Sequence, residues 1–352
     1  MERGSRTVNG KTHEYELYYP CEPVKGAEKA QPAPLVIIIH GFGVSLGGYR
    51  QYAAYLSKLG CWAFLANMSN LNGLTKSSRH AKRRSNICAI SDHLSWLLDR
   101  SKVESDPLYM RLDVQRIALA GHSAGGAVAF EAVCDIQKKA LRETSCANAK
   151  IKALLLLDAV PWLSTIEKAQ KQKFKNVDVS EINYERSSDD GEAILICSLR
   201  CKNGAFNANG LILELLASVQ ENEVDEKRKR ILDIQIPSAR HGDFMDETWY
   251  SNSWLLAKLG IFSTKKNRAM LKALSASFLV SAFGLDLDCL DDKYKKALLD
   301  QLGLNLDSIS TSGVLFSQGL ASLEQRQEVK TRTISREVVA KIRLNELPYF
   351  LR

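Results

Sequence analysis

No apolar run in the 352-residue chain is long enough to cross a bilayer. The longest, such as Leu35-Val36-Ile37-Ile38-Ile39, fall far short of the roughly 20 residues a transmembrane helix needs. The first residues, Met1 to Arg6, lead into no apolar stretch, so no secretory signal is visible and a cytoplasmic or other intracellular setting is expected. The eight cysteines show no zinc spacing: Cys197 and Cys201 stand four apart without histidines to match. Reduced, mostly buried thiols are expected, with no metal and no organic cofactor. Twenty-one Gly and eight Pro are too few for a collagenous or disordered chain, and no repeat of 20–50 residues is present. Lys and Arg outnumber Asp and Glu by 48 − 40 = 8. The charges are scattered, and the runs Arg79–Arg84 and Glu226–Arg230 read as solvated loop or helix faces. No nucleic-acid-binding motif accompanies them, so no nucleic-acid partner is expected.

What is present is a rhythm of short apolar runs followed by longer amphipathic stretches. His13 to Tyr19 alternates like an edge strand. Leu35–Ile39, Cys61–Ala66, Arg116–Ala120, Ala153–Leu157, Ala193–Cys197 and Arg230–Ile236 read as buried strands, the last closing the sheet. Residues 48–59, 85–100, 127–133, 267–283 and 292–302 read as helices. Strands alternating with helices imply an α/β fold, a mainly parallel central sheet with helices on both faces. From residue 304 the pattern is weak and polar. The expectation is a catalytic domain over 1–303, able to fold by itself, and a peripheral, partly flexible tail over 304–352.

Gly121-His122-Ser123-Ala124-Gly125 fits G-x-S-x-G, with an apolar strand before it and a small-residue helix after it. That context is what a nucleophilic serine on a strand-to-helix turn requires: the hydroxyl projects from the carboxyl edge of the sheet. His40-Gly41-Phe42-Gly43 follows the strand ending at Ile39. A tetrahedral intermediate needs two backbone N–H groups facing its oxyanion, and Ala124 and Phe42 are the candidates. Of six histidines only His241 follows Ser123, in the loop after the strand ending at Ile236, so it is the expected base.

The acid should stand at the carboxyl end of a strand between Ser123 and His241. No carboxylate follows Cys197 until Glu214, and Asp189 and Asp190 precede that strand. Asp158 directly follows the apolar strand ending at Leu157 and is the expected acid. Asp243, two residues beyond His241, is the rival candidate, awkwardly close in the same loop.

These motifs resemble the α/β-hydrolase superfamily. Within it they are most similar to the chlorophyllase and dienelactone-hydrolase-like esterases, over roughly residues 13–303. Gly121–Gly126 is similar to that group's elbow. Leu157-Asp158-Ala159-Val160-Pro161 resembles the chlorophyllase segment bearing the triad aspartate, and His241–Asp246 resembles the histidine loop. The expected activity is hydrolysis of a small apolar carboxylic ester through an acyl-enzyme on Ser123. A non-catalytic binding or scaffold protein on the same fold, or an acyltransferase using the same residues, are the alternatives.

Overall fold

The structure is a computed structural model that describes residues 1–21, 32–41, 44–68, 76–140, 149–159, 194–201, 231–246, 264–285, 292–304 and 312–332. Its strands are β1 (Glu2–Val8), β2 (Lys11–Tyr18), β3 (Ala33–Ile39), β4 (Trp62–Ala66), β5 (Leu112–His122), β6 (Ile151–Leu157), β7 (Leu195–Cys201), β8 (Ile231–Ile236) and β9 (Lys330–Arg332). Its helices are α1 (Arg50–Lys58), α2 (Lys76–Arg100), α3 (Ala124–Ala140), α4 (Lys265–Phe283), α5 (Asp292–Leu302) and α6 (Ser312–Gln325). The strands form one nine-stranded sheet in the order β1-β2-β4-β3-β5-β6-β7-β8-β9. Strands β4, β3, β5, β6, β7 and β8 run parallel, while β1, β2 and β9 are antiparallel to their neighbours.

The period-2 alternation of the strands divides the core into two layers. Leu35, Ile37, Ile39, Leu119, Leu154 and Leu156 face α2 and α3, packing on Ile90, Leu94, Val128 and Ala132. Val36, Ile38, Ala118, Leu155, Leu157 and Leu199 face the other way, onto α1 and α4 to α6. Covering helices on both faces explain why the central strands are apolar throughout rather than alternating.

Four expectations need correction. His13–Tyr19 is not an edge, because β1 pairs along β2 from Val8↔Lys11 to Glu2↔Leu17. β1 is polar as far as Thr7 and alternates there between exposed and half-buried, with only Val8 buried, so it carries no apolar signature. Its turn does: Asn9 and Gly10 both have positive φ (50° and 73°), the geometry that makes Asn-Gly a hairpin signal. Second, the strand expected at 193–197 lies at Leu195–Cys201. Its polar residues hide it: Ser198 is fully buried, and the Arg200 guanidinium donates to both oxygens of buried Asp233 on β8, at 2.9 Å each. Third, the described part of 304–352 is not a peripheral tail. Leu315, Leu320, Leu323 and Val329 are buried in the same core layer as α4, and β9 extends the sheet beside β8. Fourth, within the basic run 79–84, Arg83 is not on a solvated face: its side chain is mostly buried and ion-paired with Glu131 on α3.

Candidate active site

Parallel strands end at one edge of the sheet, and the motifs collect there. Ser123 lies between β5 and α3 with φ 54°, a left-handed conformation that costs a non-glycine residue about 1–3 kcal/mol and survives only where its surroundings impose it. They do. The Ser123 N–H donates to the Leu157 carbonyl at 3.0 Å, and the Gly126 N–H closes the turn on the Ser123 carbonyl at 3.0 Å. The flanking glycines are set by close approach. A Cβ on Gly125 would collide with the Ile39 and His40 carbonyl oxygens, one on Gly126 with the Ala159 side chain, and one on Gly121 with the Gly125 carbonyl. The turn is therefore wedged between the ends of β3 and β6, and any larger residue would force it out.

Asp158 leaves β6 with φ 40° and is 2% exposed. Its N–H donates to the Leu199 carbonyl of β7 at 2.7 Å. Its carboxylate accepts from the last residue of β7: the Cys201 N–H reaches Oδ1 at 3.2 Å and the Cys201 thiol reaches Oδ2 at 3.1 Å. Oδ2 also accepts from His241 Nδ1 at 2.6 Å, across 83 residues of sequence. That bond puts the imidazole proton on Nδ1 and leaves Nε2 with its lone pair. His241 opens a 3₁₀ turn, His241–Phe244, just after β8.

His122, the residue before Ser123, packs against this group. The His122 ring lies 4.6 Å from the His241 ring and 5.9 Å from Phe244, and its Nε2 is 3.2 Å from the His241 carbonyl. Burial drives the His122 pKa well below that of a free histidine, with neighbouring His241 adding to the effect, so it stays neutral. Gly41, at the end of β3, passes against the elbow: a Cβ there would sit 3.0 Å from Ser123 Cβ. Its carbonyl accepts from His40 Nδ1 at 2.8 Å, while His40 Nε2 accepts from the Met68 N–H at 2.8 Å. His40 is thus a strut for the loop, and its burial likewise lowers its pKa. Ala124 is the first residue of α3, so its N–H belongs to the first turn, which has no intrahelical acceptor, at the positive end of the helix dipole. Phe42, the other expected oxyanion donor, lies outside the described residues.

The acids following His241 are tied elsewhere. Asp243 accepts from the Thr264 N–H at 2.5 Å, the Arg240 N–H at 2.9 Å and Asn267 Nδ2 at 3.0 Å, locking the turn to the start of α4. Asp246 accepts from the Gln51 N–H at 2.5 Å and pairs with Lys272 at 2.9 Å; burial raises its pKa. Neither faces the imidazole Nδ1, which Asp158 holds. Sequence reasoning did not find Cys201 at this site, nor Tyr49, whose hydroxyl lies 2.7 Å from His122 Nδ1. Cys201 ends a strand read as ending at Cys197, and nothing local marks Tyr49. Among the described residues, no group of three or more His, Cys, Asp or Glu is placed to hold a metal ion. None of their helices is long and apolar enough to cross a membrane.

The family of serine aminopeptidases S33 matches residues 30–200, just under half of the chain. One of two fungal esterases from Rhizomucor miehei superposes with a TM-score of 0.50 at 17% identity, over 80% of this chain and 83% of its own. The chain has the α/β-hydrolase fold. Esterase 2 of Thermogutta terrifontis, phosphoramylated by tabun, is similar at TM-score 0.46 and 18% identity, over 75% of this chain and 96% of its own. MGS-M1, an α/β-hydrolase from a Medee basin deep-sea metagenome library, is similar at TM-score 0.46 and 13% identity, over 81% and 99%. No curated protein matches the sequence.

Proposed function

We propose that the chain is a serine hydrolase that cleaves carboxylic esters, with Ser123 as nucleophile, His241 as base and Asp158 as its orienting acid. The observation that carries this reading is the 2.6 Å contact between Asp158 and His241 Nδ1 at the sheet edge where the strained turn of Ser123 stands. With its proton fixed on Nδ1, His241 offers Nε2 to the serine hydroxyl.

Ser123 Oγ attacks the ester carbonyl as its proton passes to His241 Nε2. Asp158 stabilises the imidazolium that forms, and the oxyanion accepts from the N–H groups of Ala124 and Phe42. Collapse of the intermediate breaks the bond to the leaving oxygen, which takes the proton from His241 and departs as an alcohol. Water then gives a proton to His241 as it attacks the acyl carbonyl, and the acid is released as Ser123 regains its proton. The placement of an acid directly after this strand resembles the chlorophyllase and dienelactone-hydrolase-like esterases, and a small apolar ester is the substrate class this reading takes.

The test is labelling with a fluorophosphonate and a panel of p-nitrophenyl esters of increasing acyl length. Stoichiometric labelling at Ser123 with ester turnover is expected. Ser123→Ala should leave the melting temperature nearly unchanged and reduce turnover by at least about 10³-fold. Turnover within about tenfold of wild type would remove Ser123 from the role. An unlabelled, inactive wild type would favour a scaffold, and labelling with transfer to alcohols but not to water would favour an acyltransferase.

A further inference from the structure

Buried beside the site is a run of hydrogen bonds that the mechanism above does not use. The Gly41 N–H donates to the Tyr49 hydroxyl oxygen at 3.0 Å. Tyr49 Oη is 2.7 Å from His122 Nδ1. His122 Nε2 is 3.2 Å from the His241 carbonyl. Tyr49 is 0% and His122 1% exposed, so bulk water does not compete for these links.

The direction of this run follows from its two ends. One end is a backbone N–H, which only donates, and the other is a backbone carbonyl, which only accepts. Tyr49 therefore accepts from Gly41 and spends its own proton on His122 Nδ1. That nitrogen must be bare, so the ring proton is on Nε2, facing the His241 carbonyl. Protonating His122 would make Nδ1 a donor as well and leave the buried Tyr49 hydroxyl proton without an acceptor; burial opposes that protonation.

The ends also matter by position. Gly41 lies against Ser123 and leads directly into Phe42, and its carbonyl is pinned separately by His40. The other end is the main chain of His241, whose Nδ1 is held by Asp158. We propose that Tyr49 and His122 are positioning residues that hold the loop after β3 and the main chain of His241 at a fixed separation across Ser123. Neither touches the reacting atoms. They set the distance between Gly41, where the chain passes Ser123, and the base, which counts in the transition state and little in substrate binding. This rests on Ser123 and His241 acting as proposed above.

Three variants and one spectrum test it. Tyr49→Phe keeps the ring but removes the central link. His122→Phe removes both ring nitrogens. His122→Gln restores an amide oxygen toward Tyr49 and an amide N–H toward the His241 carbonyl, on atoms joined through one carbon as in imidazole. With p-nitrophenyl butyrate, Tyr49→Phe and His122→Phe should lower kcat by about 10- to 100-fold with KM within about threefold. His122→Gln should keep at least about a third of wild-type kcat. Nitrogen-15 NMR of the wild type should find His122 neutral with its proton on Nε2, and Tyr49→Phe should disturb that tautomer. Tyr49→Phe kcat within about twofold of wild type, His122→Gln as damaged as His122→Phe, or an Nδ1–H tautomer of His122 would each overturn the proposal. If the wild type hydrolyses no ester, the proposed function falls, while the tautomer still decides whether the relay exists.

Discussion

Replacing Asp158 by Asn tests the acid with almost no change of shape. The environment of the carboxylate dictates how the amide must sit. Oδ1 accepts from the Cys201 N–H at 3.2 Å, a backbone donor that cannot reverse. Turning the amide NH2 toward it would leave two buried donors face to face, costing about 1–3 kcal/mol. The amide oxygen is therefore held at that position, and the NH2 takes the place of Oδ2. There it meets the Cys201 sulfur, which can accept, and His241 Nδ1, which must then accept too. The imidazole proton moves to Nε2, the nitrogen that has to take the serine proton, and the imidazolium loses its counter-charge. A fall of about 10²- to 10⁴-fold in kcat is expected, or about 3–5 kcal/mol of transition-state stabilisation, with little change in KM. The assay is steady-state ester hydrolysis beside a thermal melt. Asp243→Asn is the control: it leaves the Asp158–His241 contact alone but weakens a carboxylate that takes three donors, so it should lower the melting temperature while kcat of the folded protein stays within about tenfold of wild type. If Asp158→Asn keeps more than about a tenth of wild-type kcat, or Asp243→Asn abolishes turnover at an unchanged melting temperature, the assignment of the acid is refuted.

A chain ending at Leu304 should be insoluble or strongly destabilised. It loses buried Leu315, Leu320, Leu323 and Val329, each contributing about 1.5–3 kcal/mol, together comparable to a domain's whole net stability of about 5–15 kcal/mol; it also bares β8 as an edge. An unchanged melting temperature on truncation would show that α6 and β9 contribute nothing. His93 on α2 is fully buried against His13 of β2 and Phe64 of β4, and burial pushes its pKa down from 6.5 to about 3, with nearby Arg6 and His13 acting in the same direction. The unfolded chain binds this proton near pH 6.5 and the folded one does not, so stability present above pH 6.5 drains away as pH falls toward 3, by up to about 1.4 kcal/mol per pH unit. His93→Phe should flatten the dependence of unfolding free energy on pH between 6 and 4, and an unaltered slope would count against a neutral buried His93.

Much of this protein is written locally. Leu35–Ile39 and Leu154–Leu157 are strands because a parallel sheet covered on both faces asks for unbroken apolar runs, and a run of that kind is visible without any partner. The elbow is legible because its glycines answer steric demands from residues a few positions away or at the next strand end, and a glycine-serine-glycine string between a strand and a helix has few other uses. Given the order serine, acid, histidine that the elbow implies, elimination along the chain picks out Asp158 and His241. Elimination favours Asp158 over Asp243, but only the tertiary structure brings Asp158 to the imidazole across 83 residues, while packing turns Asp243, two residues away, toward Thr264 and Asn267. The same holds for the end of β7, where Ser198 and Arg200 look unlike a buried strand until Asp233 of β8 takes the guanidinium. It holds for Tyr49, which lies 73 residues from His122 and is unremarkable in its own segment. It holds for α6, whose leucines gain a core only when α4 lies beneath them. Apolar burial along a strand is a one-dimensional signal, whereas a buried polar group is tolerated only with its partner, and the partner is supplied by the fold.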